Sequence, residues 1–279
     1  MSLVTNEEAD RSDTLPTWQL DALVAAIASE NRVDDRAVGY AGVRTAQYDR
    51  YVSLSKWPIP ELRRLTKHSN LAVRCYAGWA LAEKEYPGLD TVLIEFLKEK
   101  EVVETFSGCI RSQDPLASEL YHSYWNHLRL RDPGVSEAKA LEDPLMFRMD
   151  SIVLYTDGSY WLLLTRAFEN RIYPDRFNER ISDLAFRDKD LDGVYYLYRN
   201  AGDLFHDDIT SALADQLGKD KLWPNEYLDV ATMILGLDNK VLKDNLLKRM
   251  KSKDNWKHSM AEFQALFQQH GMQLPSIRD

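Results

Sequence analysis

Apolar residues recur at helical spacing along most of the chain. Leu20, Leu23, Val24 and Ile27 fall on one helix face, and the polar Thr14 and Pro16 ahead of them read as a helix start. Gly39 and Gly42 mark an irregular join, after which Thr45 is placed to cap a helix carrying Tyr48, Tyr51, Val52 and Leu54. Pro58 and Pro60 introduce a short helix, Glu61–Lys67. His68, Ser69 and Asn70 form a polar turn. The next helix runs from Leu71 to about Tyr86, with Val73, Tyr76, Ala77, Ala80 and Leu81 on one broad face, and Pro87–Gly88 stop it. Asp90 is placed to cap a helix bearing Leu93, Phe96 and Leu97. Ser107-Gly108-Cys109 reads as an exposed loop or break, and Asp114-Pro115 as the start of a helix over Leu116–Leu130.

Arg131–Asp143 is the expected connector, with Asp132-Pro133-Gly134 as a turn and a kink in the architecture there. Helices are then expected near 144–156, 159–170, 174–187, 190–200, 203–217, 224–236, 238–251 and 255–270. Ile152–Tyr155 and Val194–Tyr198 are β-prone in composition but lie inside capped helical patterns, so both are expected to be helical. No long alternating segment competes. Helices of this length joined by short loops are the pattern of stacked helical hairpins.

Composition narrows the functional classes. Of 279 residues, 44% are hydrophobic and 28% charged, as in ordinary globular chains. Only 12 Gly and 10 Pro disfavour a turn-rich β fold. Net charge is −9, which argues against a nucleic-acid footprint. Residues 1–35 hold eight acids and two bases, and residues 1–13 are expected to be a disordered acidic tail. Residues 240–258 hold seven Lys or Arg against Asp244 and Asp254, most simply a solvated helix face. Cys75 and Cys109 are too few for a disulfide scaffold and lack metal-ligand spacing. The N-terminus lacks the basic and apolar regions of a signal peptide, and no apolar run is long enough to span a membrane, so a cytoplasmic location is expected.

One hairpin resembles a known repeat. Pro60, Leu62 and Leu65 in its first helix, and Val73-Arg74, Ala77, Ala80 and Leu81 in its second, resemble a HEAT repeat. The stretch Val38–Pro87 is similar to a group of uncharacterised bacterial HEAT-like proteins. The resemblance implies an all-α fold, a right-handed α-α superhelix of stacked HEAT-like hairpins, with residues 14–279 as one α-solenoid domain. HEAT turns usually carry acids that pair with arginines of neighbouring repeats. Here His68 and Asn70 hold those places, so that ladder is not implied, although Asn70 can cap the second helix. Arg74 sits near a helix start, against the helix dipole, and is expected to be paired with an acid.

Candidate chemistry is sparse. Leu204-Phe205-His206-Asp207-Asp208 resembles the doublet of HD-type metal-dependent phosphohydrolases. That family would need an upstream His, here His122 or His127, and a downstream Asp, here Asp229 or Asp238. The same acids suit an ordinary first helical turn. Glu119-x-x-His122 is half of a di-iron motif with no second copy, and Cys109 is a bare candidate nucleophile. No HExxH, Walker A, GxGxxG or GxSxG motif occurs. The resemblance therefore points to binding without catalysis and without a cofactor, by a concave groove that accepts a protein partner. Trp79, Tyr121, Tyr124, Trp125, Tyr160 and Trp161 are its candidate lining, half of them expected in the core, with Arg63 and Arg74 as anchors. The acidic balance suits a basic partner, as for an inhibitor or immunity-type protein. The alternative expectation is the HD-like phosphohydrolase built on His122, His206 and Asp207.

Overall fold

Helical periodicity translates into helices nearly everywhere it was expected. A computed structural model describes residues 17–130, 137–253 and 255–275. Among them the chain is mostly helical, with 15 α-helices and a three-stranded mixed sheet. The sheet corrects the all-α expectation. The expected tail 1–13, the expected helix start at Thr14 and Pro16, and residues 131–136 of the connector lie outside the described residues. The chain divides into two compact units, Met1–Leu163 and Leu164–Asp279. The division falls within a helix, Trp161–Phe168, and not in the expected connector, where Glu137–Leu141 is helical.

The first unit runs α1 (Thr17–Glu30), β1 (Val33–Val38), α2 (Ala46–Leu54), α3 (Ile59–Leu65), α4 (Leu71–Glu83), α5 (Leu89–Glu99), β2 (Val102–Gly108), β3 (Ile110–Pro115), α6 (Leu116–Leu130), α7 (Glu137–Leu141) and α8 (Pro144–Tyr155), and ends in α9 (Trp161–Phe168). Three of the caps read from sequence hold, and Asp90 does not cap: α5 starts at Leu89 after Gly88, which makes no side-chain cap bond, and Asp90 lies in the first turn. Thr45 accepts from the Tyr48 N–H at 3.1 Å, Asn70 from Val73 N–H at 3.1 Å, and Asp143 from Met146 N–H at 2.8 Å.

Helix α4 is the hub of this unit. It packs on α1, α2, α3, α5 and α6. Its Ala72, Val73, Cys75, Tyr76, Ala77, Ala80, Leu81 and Ala82 are all buried. Small residues let α6 come close: a Cβ added at Gly78 would sit 3.2 Å from the Leu120 side chain. Arg74 is buried and paired, as expected. It donates to the Thr66 carbonyl at 2.9 Å, binds Glu99 and Glu101, and lies over the Phe96 ring. The acids that balance it come from the last residue of α5 and the link to β2, which explains how His68 and Asn70 can occupy the turn. Arg63 makes a two-pronged contact to Glu95 at 2.7 and 2.9 Å, tying α3 to α5.

The strands are insertions between helices. β1 lies between α1 and α2, and the β2–β3 hairpin lies between α5 and α6. β1 pairs parallel to β2, with Val33 opposite Thr105, and β2 pairs antiparallel to β3. In the Ser107-Gly108-Cys109 segment, Gly108 and Cys109 form a two-residue hairpin turn closed by the pair Ser107–Ile110. Gly108 takes φ +52° at the first central position and Cys109 stays out of the left-handed region, the pattern of a type II′ turn. Asp114 and Pro115 end β3, with α6 starting directly at Leu116. The buried Tyr76 hydroxyl fixes β1 to α4: it accepts from Asp34 N–H at 2.7 Å and donates to the Asp34 carbonyl at 3.0 Å.

The second unit contains α10 (Asn178–Ser182), α11 (Leu191–Ala201), α12 (His206–Gly218), α13 (Pro224–Gly236), α14 (Lys240–Ser252) and α15 (Met260–Gln269). The helix expected over 174–187 is broken into a 3-10 turn, α10 and a π turn at Asp183–Arg187. Its core joins Ile181, Leu197, Ile209, Leu213, Tyr227, Ile234, Leu246 and Phe263. In the basic block, Arg249 is buried and donates to the carbonyls of Leu217 and Lys219, while Lys240, Lys248, Lys251 and Lys253 face solvent. Among the described residues no helix is long and apolar enough to cross a membrane.

Candidate functional site

The inner face of the sheet meets α2, α4 and α6 around a cleft of about 730 Å³ in the first unit. Strand register builds its floor. Opposed residues of an antiparallel pair share a face, so the pairs Val103–Asp114, Thr105–Ser112 and Ser107–Ile110 turn the same way. Helical spacing builds the walls: Tyr48 and Tyr51 on α2, Trp79 and Glu83 on α4, and Glu119, His122, Ser123 and Asn126 on α6. The aromatic wall is continuous. Tyr51 stacks on Tyr76 at 5.0 Å between centroids and meets Trp79 edge-on at 5.6 Å.

Asp35, Glu83, Asp114 and Glu119 converge on this cleft from different elements. Their partners are neutral. Asp35 accepts from the Ser107 hydroxyl at 2.9 Å. Asp114 accepts from the Ser112 hydroxyl at 2.5 Å and from the Thr105 hydroxyl, and those two hydroxyls lie 2.8 Å apart. Glu83 lies beside the Tyr51 phenol, whose pKa is raised by burial and then by that carboxylate. The Glu119 carboxyl is pushed up to about 7, first by burial and then by the negative charges of Asp114 and Asp35. The Trp79 indole N–H acts in the opposite direction. Its nitrogen is buried with no acceptor in hydrogen-bonding geometry, so its effect on Glu119 is that of a nearby dipole.

Among the described residues none of the four carboxylates forms an ion pair, whereas Glu95, Glu99, Glu101, Asp49 and Asp90 in the same unit all do. Arg36 is the arginine on the lining. His127 also lines the cleft but contacts Glu85 at 3.1 Å, and His122 lies 3.4 Å from the Ser118 hydroxyl. Among the described residues no three His, Cys, Asp or Glu side chains come together to hold a metal ion. Carboxylates beside aromatic rings suit an organic cation.

The residues singled out in the sequence are dispersed. Trp79 and His122 line the cleft. Tyr121, Tyr124 and Trp125 are buried on the other side of α6, half of the six aromatics, with Tyr121 bonded to Asp150 and Tyr124 to Asp143 at 3.0 Å. Tyr160 is half-buried and Trp161 exposed. Arg63 and Arg74 are engaged with Glu95, Glu99 and Glu101 and act as internal ties. His206 is exposed at the start of α12 and contacts the neighbouring, fully solvated Asp207 at 3.2 Å. Cys109 is exposed at the hairpin tip and Cys75 is buried, both as free thiols. Sequence reasoning missed Asp35, Glu83, Asp114, Tyr48 and Tyr51 as a group, because their meeting depends on pairing between β1 and β2. The one local signal was Glu119 with His122, which does mark the α6 wall. Compared with protein-family models, with curated proteins and with solved structures, the chain matches none.

Proposed function

We propose that the chain is a non-catalytic protein-binding module that takes a cationic segment of a basic partner into the cleft of its first unit. The observation that carries this is the set of carboxylates Asp35, Glu83, Asp114 and Glu119, without ion-pair partners among the described residues, beside the aromatic wall of Tyr48, Tyr51 and Trp79. Like charges held together in a partly desolvated site are costly, as the raised Glu119 carboxyl records. A lysine or arginine side chain entering the cleft offsets that cost and gains cation–π contact. The net charge of −9 favours encounter with a basic protein, which suits an inhibitor or immunity-type role. The same reading takes α3–α4 and α5–α6 as HEAT-like hairpins of a right-handed superhelix. Its support is the packing of α4 on α6 and the Arg63–Glu95 tie between α3 and α5. The working surface in this reading is the cleft made by the inserted strands, not an aromatic groove along the helices.

Calorimetric titration with a capped lysine-rich peptide tests it, against a glutamate-rich peptide of equal length. Binding of the basic peptide is expected to weaken about tenfold in each of Glu83→Gln and Asp114→Asn, and to weaken with salt. Unchanged affinity in the double variant would remove the cleft as the binding site.

A further inference from the structure

Strand β3 is one edge of the sheet, in the order β1-β2-β3, and among the described residues it packs on β2 and α6. The hairpin register says which of its backbone groups are free. The two-residue turn is closed by Ser107–Ile110, so Thr105–Ser112 and Val103–Asp114 are the hydrogen-bonded pairs that follow. The N–H and C=O groups of Arg111 and Gln113 therefore point away from β2. Both residues are exposed, and no other backbone group among the described residues bonds them. The Arg111 guanidinium turns onto the Phe106 ring, 5.0 Å from its centroid. The side chains of Ile110, Ser112 and Asp114 face the cleft.

From this register we infer that the partner segment binds in extended form, as a fourth strand antiparallel to β3, with a lysine or arginine entering the cleft beside Asp114. The inference rests on the cation-binding reading above. A strand added about 4.8 Å from β3 continues the cleft floor. Its residue opposite Ser112 lies on the cleft face, within reach of the Asp114 carboxylate. Its residue opposite Ile110 meets an apolar side chain that is 70% exposed at the hairpin tip. Its residues opposite Arg111 and Gln113 lie on the outer face and make the main-chain bonds. The recognised pattern is thus an extended segment with basic residues at alternate positions, one beside Asp114 and one laying its methylenes along Ile110. Pro115 ends the edge, so the main-chain contribution is short and the cation supplies the selectivity. Charge complementarity argues for a basic partner over a second copy of this acidic chain.

The test uses the full chain and a capped peptide alternating valine and lysine. One version carries N-methyl groups on the valines, which face Arg111 and Gln113 in the inferred pairing. A second carries them on the lysines, whose N–H groups point to solvent. The valine-methylated peptide is expected to bind about tenfold or more weakly, and the lysine-methylated peptide like the parent. Gln113→Pro removes one outward N–H at a place where an edge strand tolerates proline, and is expected to weaken binding about tenfold with unchanged helix content by circular dichroism. Equal binding of the two methylated peptides, or full affinity in a folded Gln113→Pro protein, would overturn strand addition. Full affinity after replacing lysine by norleucine would overturn the cation-binding reading instead, so the two failures are told apart.

Discussion

Replacing Glu119 by glutamine probes the electrostatics of the cleft through folding stability. Burial, with Asp114 and Asp35 nearby, raises this carboxyl from 4.5 to about 7. That gap corresponds to about 3 kcal/mol of preference for the neutral acid in the folded chain. The sign follows from which state holds the proton. Below about pH 4 both folded and unfolded chains are protonated at this position and nothing is lost. As pH rises the unfolded chain ionises first, so stability falls between 4.5 and about 7 and the full penalty stands above that range. Glutamine has no proton to lose and is nearly the same size. The stability difference, variant minus wild type, is thus expected to grow from a pH-independent baseline by about 3 kcal/mol between about pH 4 and pH 8. Urea denaturation of both proteins across that range, followed by tryptophan fluorescence and far-ultraviolet circular dichroism, measures it. Asp190 and Asp229 in the second unit are also raised, to about 6, by burial first, and their effects cancel in the difference. A pH-independent difference would refute the claim that Glu119 is desolvated among like charges. A bound cation should also draw the proton off Glu119, so peptide binding near pH 6 is expected to release protons to the buffer.

Two further substitutions examine what holds the cleft in place. Tyr76→Phe leaves the buried Asp34 N–H and C=O without the hydroxyl that serves both, and is expected to cost about 1–3 kcal/mol. Hydrogen exchange should speed up in β1 and β2 before it does in α5 or α8; protection unchanged in β1 would show that the strand is held otherwise. Arg74→Met removes the donor to the Thr66 carbonyl and the partner of Glu99 and Glu101. Those acids are partly exposed and rehydrate, so the loss is expected near 2 kcal/mol, below that of a fully buried broken pair. An unchanged thermal midpoint would argue against Arg74 as a tie between α4 and the end of α5.

Local pattern decided the helices. Thr45, Asn70, Asp143 and Asp190 each bond the N–H three residues on, because a short polar side chain in extended backbone satisfies a helix start by itself. The limits of α6 and α13 fall where the sequence places them, and Val194–Tyr198 is helical because capped periodicity outweighs β propensity over one turn. Asp238 was placed as the start of a helix that Asn239 in fact caps, a one-residue error of the kind helix ends allow.

The strands and the cleft were a tertiary decision. VDDRAV has no alternation that marks a strand, and it becomes β1 because Tyr76 and a strand some seventy residues away satisfy its backbone. Gly108 carried a legible turn signal, but a hairpin needs a surface to pack on, and that surface is α4 and α6. The acids Asp35, Glu83, Asp114 and Glu119 are ordinary polar positions one at a time. Only pairing of β1 with β2, over a helix whose small residues admit close neighbours, turns them into one charged site. Helices are fixed by contacts a few residues apart, which a sequence displays; a cleft is fixed by contacts between distant segments, which it does not.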